Sequence, residues 1–108
     1  MSNPDGTTPG SFPVIVETIS YVHDMLGPGA SGQKVFVEEA CSGDTVRNIL
    51  QRFSARYPKL REALWEEGEL GQHIEILFNN TILGVQYSID SAVSPNDHIV
   101  LTGQYIGG

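Results

Sequence analysis

The spacing of apolar residues changes along this chain, and each change predicts an element. Pro13 to Val22 is β-branched and aromatic and reads as a first strand. Leu26 to Gly32 is broken by Gly27, Pro28 and Gly29 and predicts a loop. Gln33 to Glu39 alternates apolar and polar positions, which predicts a second strand forming a hairpin with the first. Val46, Ile49, Leu50, Phe53 and Tyr57 then fall at i, i+3, i+4, i+7 and i+11, one stripe of an α-helix, with Arg52 and Arg56 on the opposite side. Asp44 or Thr45 offers a side-chain oxygen to the free N–H groups at its start, and Pro58 ends it near Tyr57. Leu60 to Trp65 predicts a second short helical piece, and Glu66 to Gln72 a polar, glycine-punctuated loop. His73 to Phe78 alternates with Ile74, Ile76 and Phe78 on one face. Asn79-Asn80 signals a turn, and Thr81 to Val85 a short returning strand. A loop over Asp90 to Asp97 leads into a last strand, Asp97 to Thr102, with Ile99 and Leu101 inward and Val100 and Thr102 outward.

The order strand, strand, helix, strand, short strand, strand describes an α+β domain with no internal repeat. The opening stretch MSNPDGTTPGS holds no large apolar residue and predicts a disordered leader over residues 1–11. The domain is then expected over 12–102 and a flexible tail over 103–108.

Composition narrows the function. A chain of 108 residues makes one domain. A net charge of −7 argues against a nucleic-acid or anionic-membrane partner and suits a partner with a basic docking surface. Arg47, Arg52, Arg56, Lys59 and Arg61 share one short stretch, so the remaining surface should be acidic, with Lys34 its only base. No segment is apolar enough to span a bilayer, and Met1 to Ser11 has no signal-peptide character, so a cytoplasmic protein is expected. A single cysteine, Cys41, rules out an internal disulfide, and it reads as a half-buried small apolar residue.

The chemical motifs mostly fail. Gly27 to Gly32 spells G-x-G-x-x-G, but a strand rather than a helix should follow, and Pro28 removes a backbone donor. Asn79-Asn80-Thr81 matches a glycosylation acceptor yet reads as a hairpin turn. His23, His73 and His98 show no metal-ligand spacing with Cys41 and are expected at the surface. No stable cofactor, no metal and no independent catalytic constellation is predicted.

The end of the sequence is more telling. Gly107-Gly108 follows the run Ile99 to Leu101 and the segment Thr102 to Ile106. If Gly108 ends the chain, its carboxylate rides on a stalk without side chains, able to enter a channel closed to other residues. Fully extended, Thr102 to Gly108 reaches about 23–25 Å.

With Ser42-Gly43-Asp44-Thr45-Val46 opening the helix, Ile74 to Asn79 as a strand, Pro95 to Ile99 entering the last strand and Ile106-Gly107-Gly108 at the end, the chain resembles the MoaD/ThiS family of sulfur carriers. The resemblance runs from about Val14 to Gly108 and implies a ubiquitin-like β-grasp fold, a mixed sheet of four to five strands with one main helix on one face. It implies that Gly108 is the reacting residue: a partner of the ubiquitin-activating type joins its carboxylate to AMP at the expense of ATP, and a sulfur donor displaces AMP to leave a thiocarboxylate for a sulfur-acceptor enzyme. It further implies docking through the sheet face opposite the helix, with Val100 and Thr102 directed there, and a separate clasp on Gln104, Tyr105, Ile106 and Gly107. The length, and the long segment between Pro58 and Gln72, look more like carriers serving molybdopterin synthesis, as the synthase small subunit, or cysteine synthesis. The same ending suits a ubiquitin-like modifier conjugated to lysines through Gly108, or a β-grasp binding module with an inert tail. Lysine-linked Gly108 in cells would mark the modifier, and indifference to loss of Gly107-Gly108 the binding module.

Overall fold

The computed structural model describes residues 10–84 and 86–103. Strand β1 covers Ser11–Thr18 and stops short of the predicted Val22. Tyr21–Asp24 instead forms a short helix, α1, followed by a single 3-10 turn over Gly27–Ala30. The residues there are strand-like in type, but Val22, Leu26 and Ala30 recur every four positions and all three are buried, so helical spacing delivers them to the core. The G-x-G-x-x-G segment thus leads into strand β2, Val35–Cys41, as a hairpin connection would.

Helix α2, Val46–Ser54, carries four of the five predicted stripe residues, Val46, Ile49, Leu50 and Phe53, all buried; it ends before the expected Tyr57, whose backbone is extended. Thr45 caps the helix. The Thr45 hydroxyl accepts from the Asn48 N–H at 3.3 Å, and the Asn48 side chain accepts from the Thr45 N–H at 2.9 Å, satisfying two donors reciprocally. The next N–H groups, of Val46 and Arg47, donate to the carbonyls of Ser91 and Ile89. Asp44 does not cap the helix; it accepts from the Cys41 N–H at 2.9 Å and pairs with Arg52 at 2.8 Å. Pro58 opens α3, Pro58–Leu64, at a position where a missing N–H costs nothing. The expected loop after it is a small hairpin: β3, Trp65–Glu66, pairs with β4, Glu69–Leu70, across a turn in which Glu67 and Gly68 both have positive φ. Trp65 Nε1–H donates to the buried Ser54 hydroxyl at 2.9 Å, tying this hairpin to α2. Strands β5, Ile74–Phe78, β6, Thr81–Ile82, and β7, His98–Gly103, are the last among the described residues; Ser11, expected in the leader, and Gly103, expected in the tail, are both paired strand residues.

The main sheet has the order β2-β1-β7-β5-β6. Only β1 and β7 run parallel; the other neighbours are antiparallel, which makes the sheet mixed. The core lies on one side of it. Val14, Val16, Phe36, Ile76, Phe78, Ile99 and Leu101 point from the strands towards Ile49, Leu50 and Phe53 of α2 and Leu60 and Leu64 of α3. Phe53 meets Phe36 edge-on at 5.1 Å and Tyr57 at 5.3 Å, arrangements favoured by the ring quadrupoles. Cys41 is exposed, contrary to expectation, because residues of its parity on β2 point away from the core.

Candidate functional site

Strand residues of the other parity face away from the helices, and the register assembles them into rows. Val35 of β2 sits opposite Glu17 of β1, Glu17 opposite Val100 of β7, Val100 opposite Leu77 of β5, and Leu77 opposite Ile82 of β6. A second row joins Val37, Ile15 and His98, and Thr102 faces Glu75. None of these side chains belongs to the hydrophobic core cluster. Val37 is 66% exposed, Val35 49% and Ile82 48%, values that belong to an uncovered apolar surface. Val100 is only 8% exposed, since it is walled by Glu17 and Leu77 in its row. A shallow cavity of about 280 Å³ lies at one end of this face, lined by Ser11, Phe12, Pro13, Val37 and Glu39.

Charge is divided between the two sides. On the helix side, Arg47 Nε donates to Asp90 at 2.7 Å while its Nη atoms reach the Gly68 carbonyl and Glu69, Arg52 holds Asp44, and Arg56 holds Glu38 at 2.7 Å. The Arg52 hydrogen bond, helped by the Cys41 N–H, holds the Asp44 carboxyl below its usual range. Arg47 does the same to Asp90, and Asp90 with Glu69 pushes the Arg47 guanidinium up; Glu38 likewise raises Arg56. These three arginines are engaged within the domain. The uncovered face carries Glu17, Glu39 and Glu75, with Glu17 bonded to His98 Nε2 at 3.0 Å.

The outer edge of β2 is closed to strand addition at several points. Thr18 N–H donates to the Lys34 carbonyl, so even-numbered residues of β2 face β1 and odd-numbered backbone groups face outward. Of these, the Val35 carbonyl accepts from the Gln33 side chain at 2.7 Å, the Glu39 carbonyl from Arg52 at 3.2 Å, and the Cys41 N–H is taken by Asp44. The opposite edge, β6, is two residues long. Side-chain blocking and shortness are both ways of suppressing edge-to-edge pairing.

Of the residues singled out from the sequence, Val100 and Thr102 lie on this face, while Gln104, Tyr105, Ile106, Gly107 and Gly108 lie outside the described residues. Sequence reasoning passed over Ile15, Leu77, Ile82, Val35 and Val37. A signal existed for three of them: Leu77, Val35 and Val37 are apolar at positions where simple alternation calls for polar residues. The Glu17–His98 pair spans 81 residues and left no local trace. Among the described residues no group of His, Cys, Asp or Glu is arranged to hold a metal ion, and no helix is long and apolar enough to cross a membrane.

No protein-family model matches the chain, and no curated protein matches its sequence. Solved structures match its fold. The HVO 2177 protein of Haloferax volcanii superimposes with a TM-score of 0.73 at 20% identity, covering 94% of this chain and 92% of that one. Small archaeal modifier protein 1 of Methanosarcina acetivorans gives 0.70 at 19% identity, covering 91% and 98%. A chain of the BexX/CysO complex of Amycolatopsis orientalis gives 0.66 at 20% identity, covering 88% and 99%. The chain therefore has the ubiquitin-like β-grasp fold that these structures share.

Proposed function

We propose that this protein is a sulfur carrier whose Gly108 carboxylate is adenylated by a ubiquitin-activating-type enzyme, converted to a thiocarboxylate, and presented to a sulfur-acceptor enzyme in molybdopterin, cysteine or related biosynthesis. The observation that carries the reading is the uncovered apolar face around Val100 on β7, the strand whose continuation holds Gly107 and Gly108, in a fold shared with a chain of the BexX/CysO complex. In this reading the partner lies across the row of Val35, Val100, Leu77 and Ile82, with exposed Val35, Val37 and Ile82 giving it the accessible apolar area, and Thr102 lies on the path towards the tail. Glu17, Glu39 and Glu75 form an acidic rim that suits a basic partner surface and speeds encounter.

The chemistry divides between the two proteins. A carboxylate is a poor electrophile. Its oxygen attacks the α-phosphorus of ATP, pyrophosphate leaves, and the acyl-adenylate carries a good leaving group. A sulfide-equivalent donor then attacks the carbonyl carbon and expels AMP. The partner supplies the donors that stabilise the developing charge, while the carrier supplies recognition and a slender tail. Gln104 to Ile106 would be clasped by the partner, and a Cβ at Gly107 or Gly108 would crowd a channel shaped for glycine.

Intact mass spectrometry of the protein from its host, without reducing or alkylating treatment, tests this. One oxygen replaced by sulfur, mapped to a fragment ending in Gly108, is the expected result. Failure to form that species with ATP, sulfide and the host's activating enzymes would overturn it. The structural neighbour named as a modifier favours a second reading, in which Gly108 ends as an isopeptide on lysine. Gly108-linked lysine peptides in a host digest would favour that one.

A further inference from the structure

Gly103 is the last described residue of β7, paired with Ile74. It has the parity of Ile99 and Leu101, so a side chain there would extend the core-facing row. The ring of Tyr21 occupies that place instead. A Cβ built on Gly103 would lie 2.7 Å from Tyr21 Cδ1 and 2.8 Å from Cζ, with Cε1 nearer still, distances that ordinary Cβ atoms do not tolerate. The Tyr21 hydroxyl donates to the carbonyl of His73, immediately before β5. One side chain therefore spans the end of β7 and the start of β5.

Tyr21 reaches this position through a strained turn. Ser20 has φ 60° and ψ −152°, a region nearly reserved for glycine and strained for any residue with a side chain. The turn is held on both sides. Ile19 N–H donates to the Leu101 carbonyl at 3.0 Å, His23 N–H donates to the Ser20 carbonyl at 3.2 Å, and the Thr18 hydroxyl bonds His23 Nδ1 at 3.3 Å. Yet Tyr21 remains 43% exposed, so apolar burial alone is a modest return for that strain. Strain of this kind persists where the surrounding structure over-determines a conformation, and it concentrates at functional positions.

We propose that Tyr21 is a positioning residue that clamps Gly103, and thereby sets the direction in which the chain leaves β7 towards the reactive terminus; this rests on the carrier reading above. Leverage explains the need. Five extended residues beyond Gly103 reach at most about 17 Å, so a swing of about 10° at the base moves the tip by about 3 Å. Misplacement of a reacting group by about 1 Å can cost about a hundredfold in rate. Gly103 is glycine because the clamp needs the space a Cβ would fill, and not because of its backbone angles.

The test uses the full chain with the host's adenylating enzyme in ATP–pyrophosphate exchange. Tyr21→Ala is expected to lower kcat about tenfold or more with the KM for the carrier little changed, because the docking face is untouched. Tyr21→Phe, which keeps the ring over Gly103, should restore most of kcat. An unchanged kcat in Tyr21→Ala, or a loss confined to KM, overturns the proposal. Backbone relaxation at the Gly103 amide reads the clamp without any enzyme: its order parameter should fall from about 0.85 to below about 0.6 in Tyr21→Ala, and an unchanged value overturns the proposal. Gly103→Ala should lower Tm in the natural background and much less in Tyr21→Ala. If the unaltered chain supports no exchange at all, the carrier reading fails, and the relaxation measurement still decides the clamp.

Discussion

The two faces of the sheet are built from the same strands and differ in nearly everything else. Val16 and Glu17, Ile76 and Leu77, Ile99 and Val100 are neighbours in sequence, yet the first of each pair is sealed under α2 and α3 and the second faces the other way. The covered face is apolar apart from Thr18 and Glu38, which bond His23 and Arg56, and the Arg52–Asp44 pair lies beside it. The other face mixes Val35, Val37, Ile15, Leu77 and Ile82 with Glu17, Glu39 and Glu75. Solubility alone would place polar side chains at Val35, Val37 and Ile82. The contrast separates a sealed core from an apolar surface that the helices leave uncovered.

Substitutions can break that contrast. Phe53→Ala, on the covered side, should have the largest effect: a loss of about 3–5 kcal/mol in urea-induced unfolding, since it empties a site closed by Phe36 and Tyr57. A loss below about 1 kcal/mol would mean that the two faces are not energetically distinct. Val100→Ala should weaken calorimetric binding to the adenylating partner about tenfold, or about 1.4 kcal/mol, and, because Val100 is largely buried, should also cost stability, though less than Phe53→Ala. Undiminished binding would detach the uncovered face from docking.

Acid should sharpen the difference, because the Asp44–Arg52 pair lies on the helix side. The Asp44 carboxyl is held below its usual range in the folded chain, so the unfolded chain takes up that proton first as pH falls. The stabilisation is fully present above the unfolded carboxylate value of about 3.9 and is lost as pH drops through the lower folded value. The Asp44 side chain is 20% exposed, and Asp44→Asn should remove less than about 1 kcal/mol of the acid dependence of stability between about pH 5 and pH 2. An identical acid limb in that variant would show the pair to be energetically silent. The smallest change is expected for Val37→Thr, within about 0.5 kcal/mol of the natural chain in thermal unfolding, because Val37 is exposed. A larger loss would mean that this residue is part of the stabilising core after all.

Much of the covered side was legible in the sequence. The stripe from Val46 to Phe53, a cap at Asp44 or Thr45 and the Asn79-Asn80 turn, with φ of 50° and 70°, each follow from local rules, although the helix ends at Ser54 rather than near Tyr57 and those rules do not choose Thr45 over Asp44. Two segments misled for local reasons. Tyr21 and Val22 have strand-like side chains, but Val22 reaches the core only by helical spacing after the Ser20 turn. Glu66 to Gln72 read as a loop because two-residue strands carry too little alternation to register, although Glu67-Gly68 supplied the turn. On the site, Val100 and Thr102 were legible from alternation, whereas the rows they join required partners from three other strands.

What the sequence by itself determined, then, is the order of α2 and the strands of the main sheet and the inward set on those strands, because capping, turn preference and side-chain period are energies of residues close along the chain. Only the tertiary structure decided which apolar residues remain uncovered, that Glu17 meets His98 across 81 residues, and that Tyr21 fills the space over Gly103. Those outcomes depend on strand register and on which face the helices cover, and both are settled by long-range contacts whose loop-closure cost is met only when the whole sheet assembles.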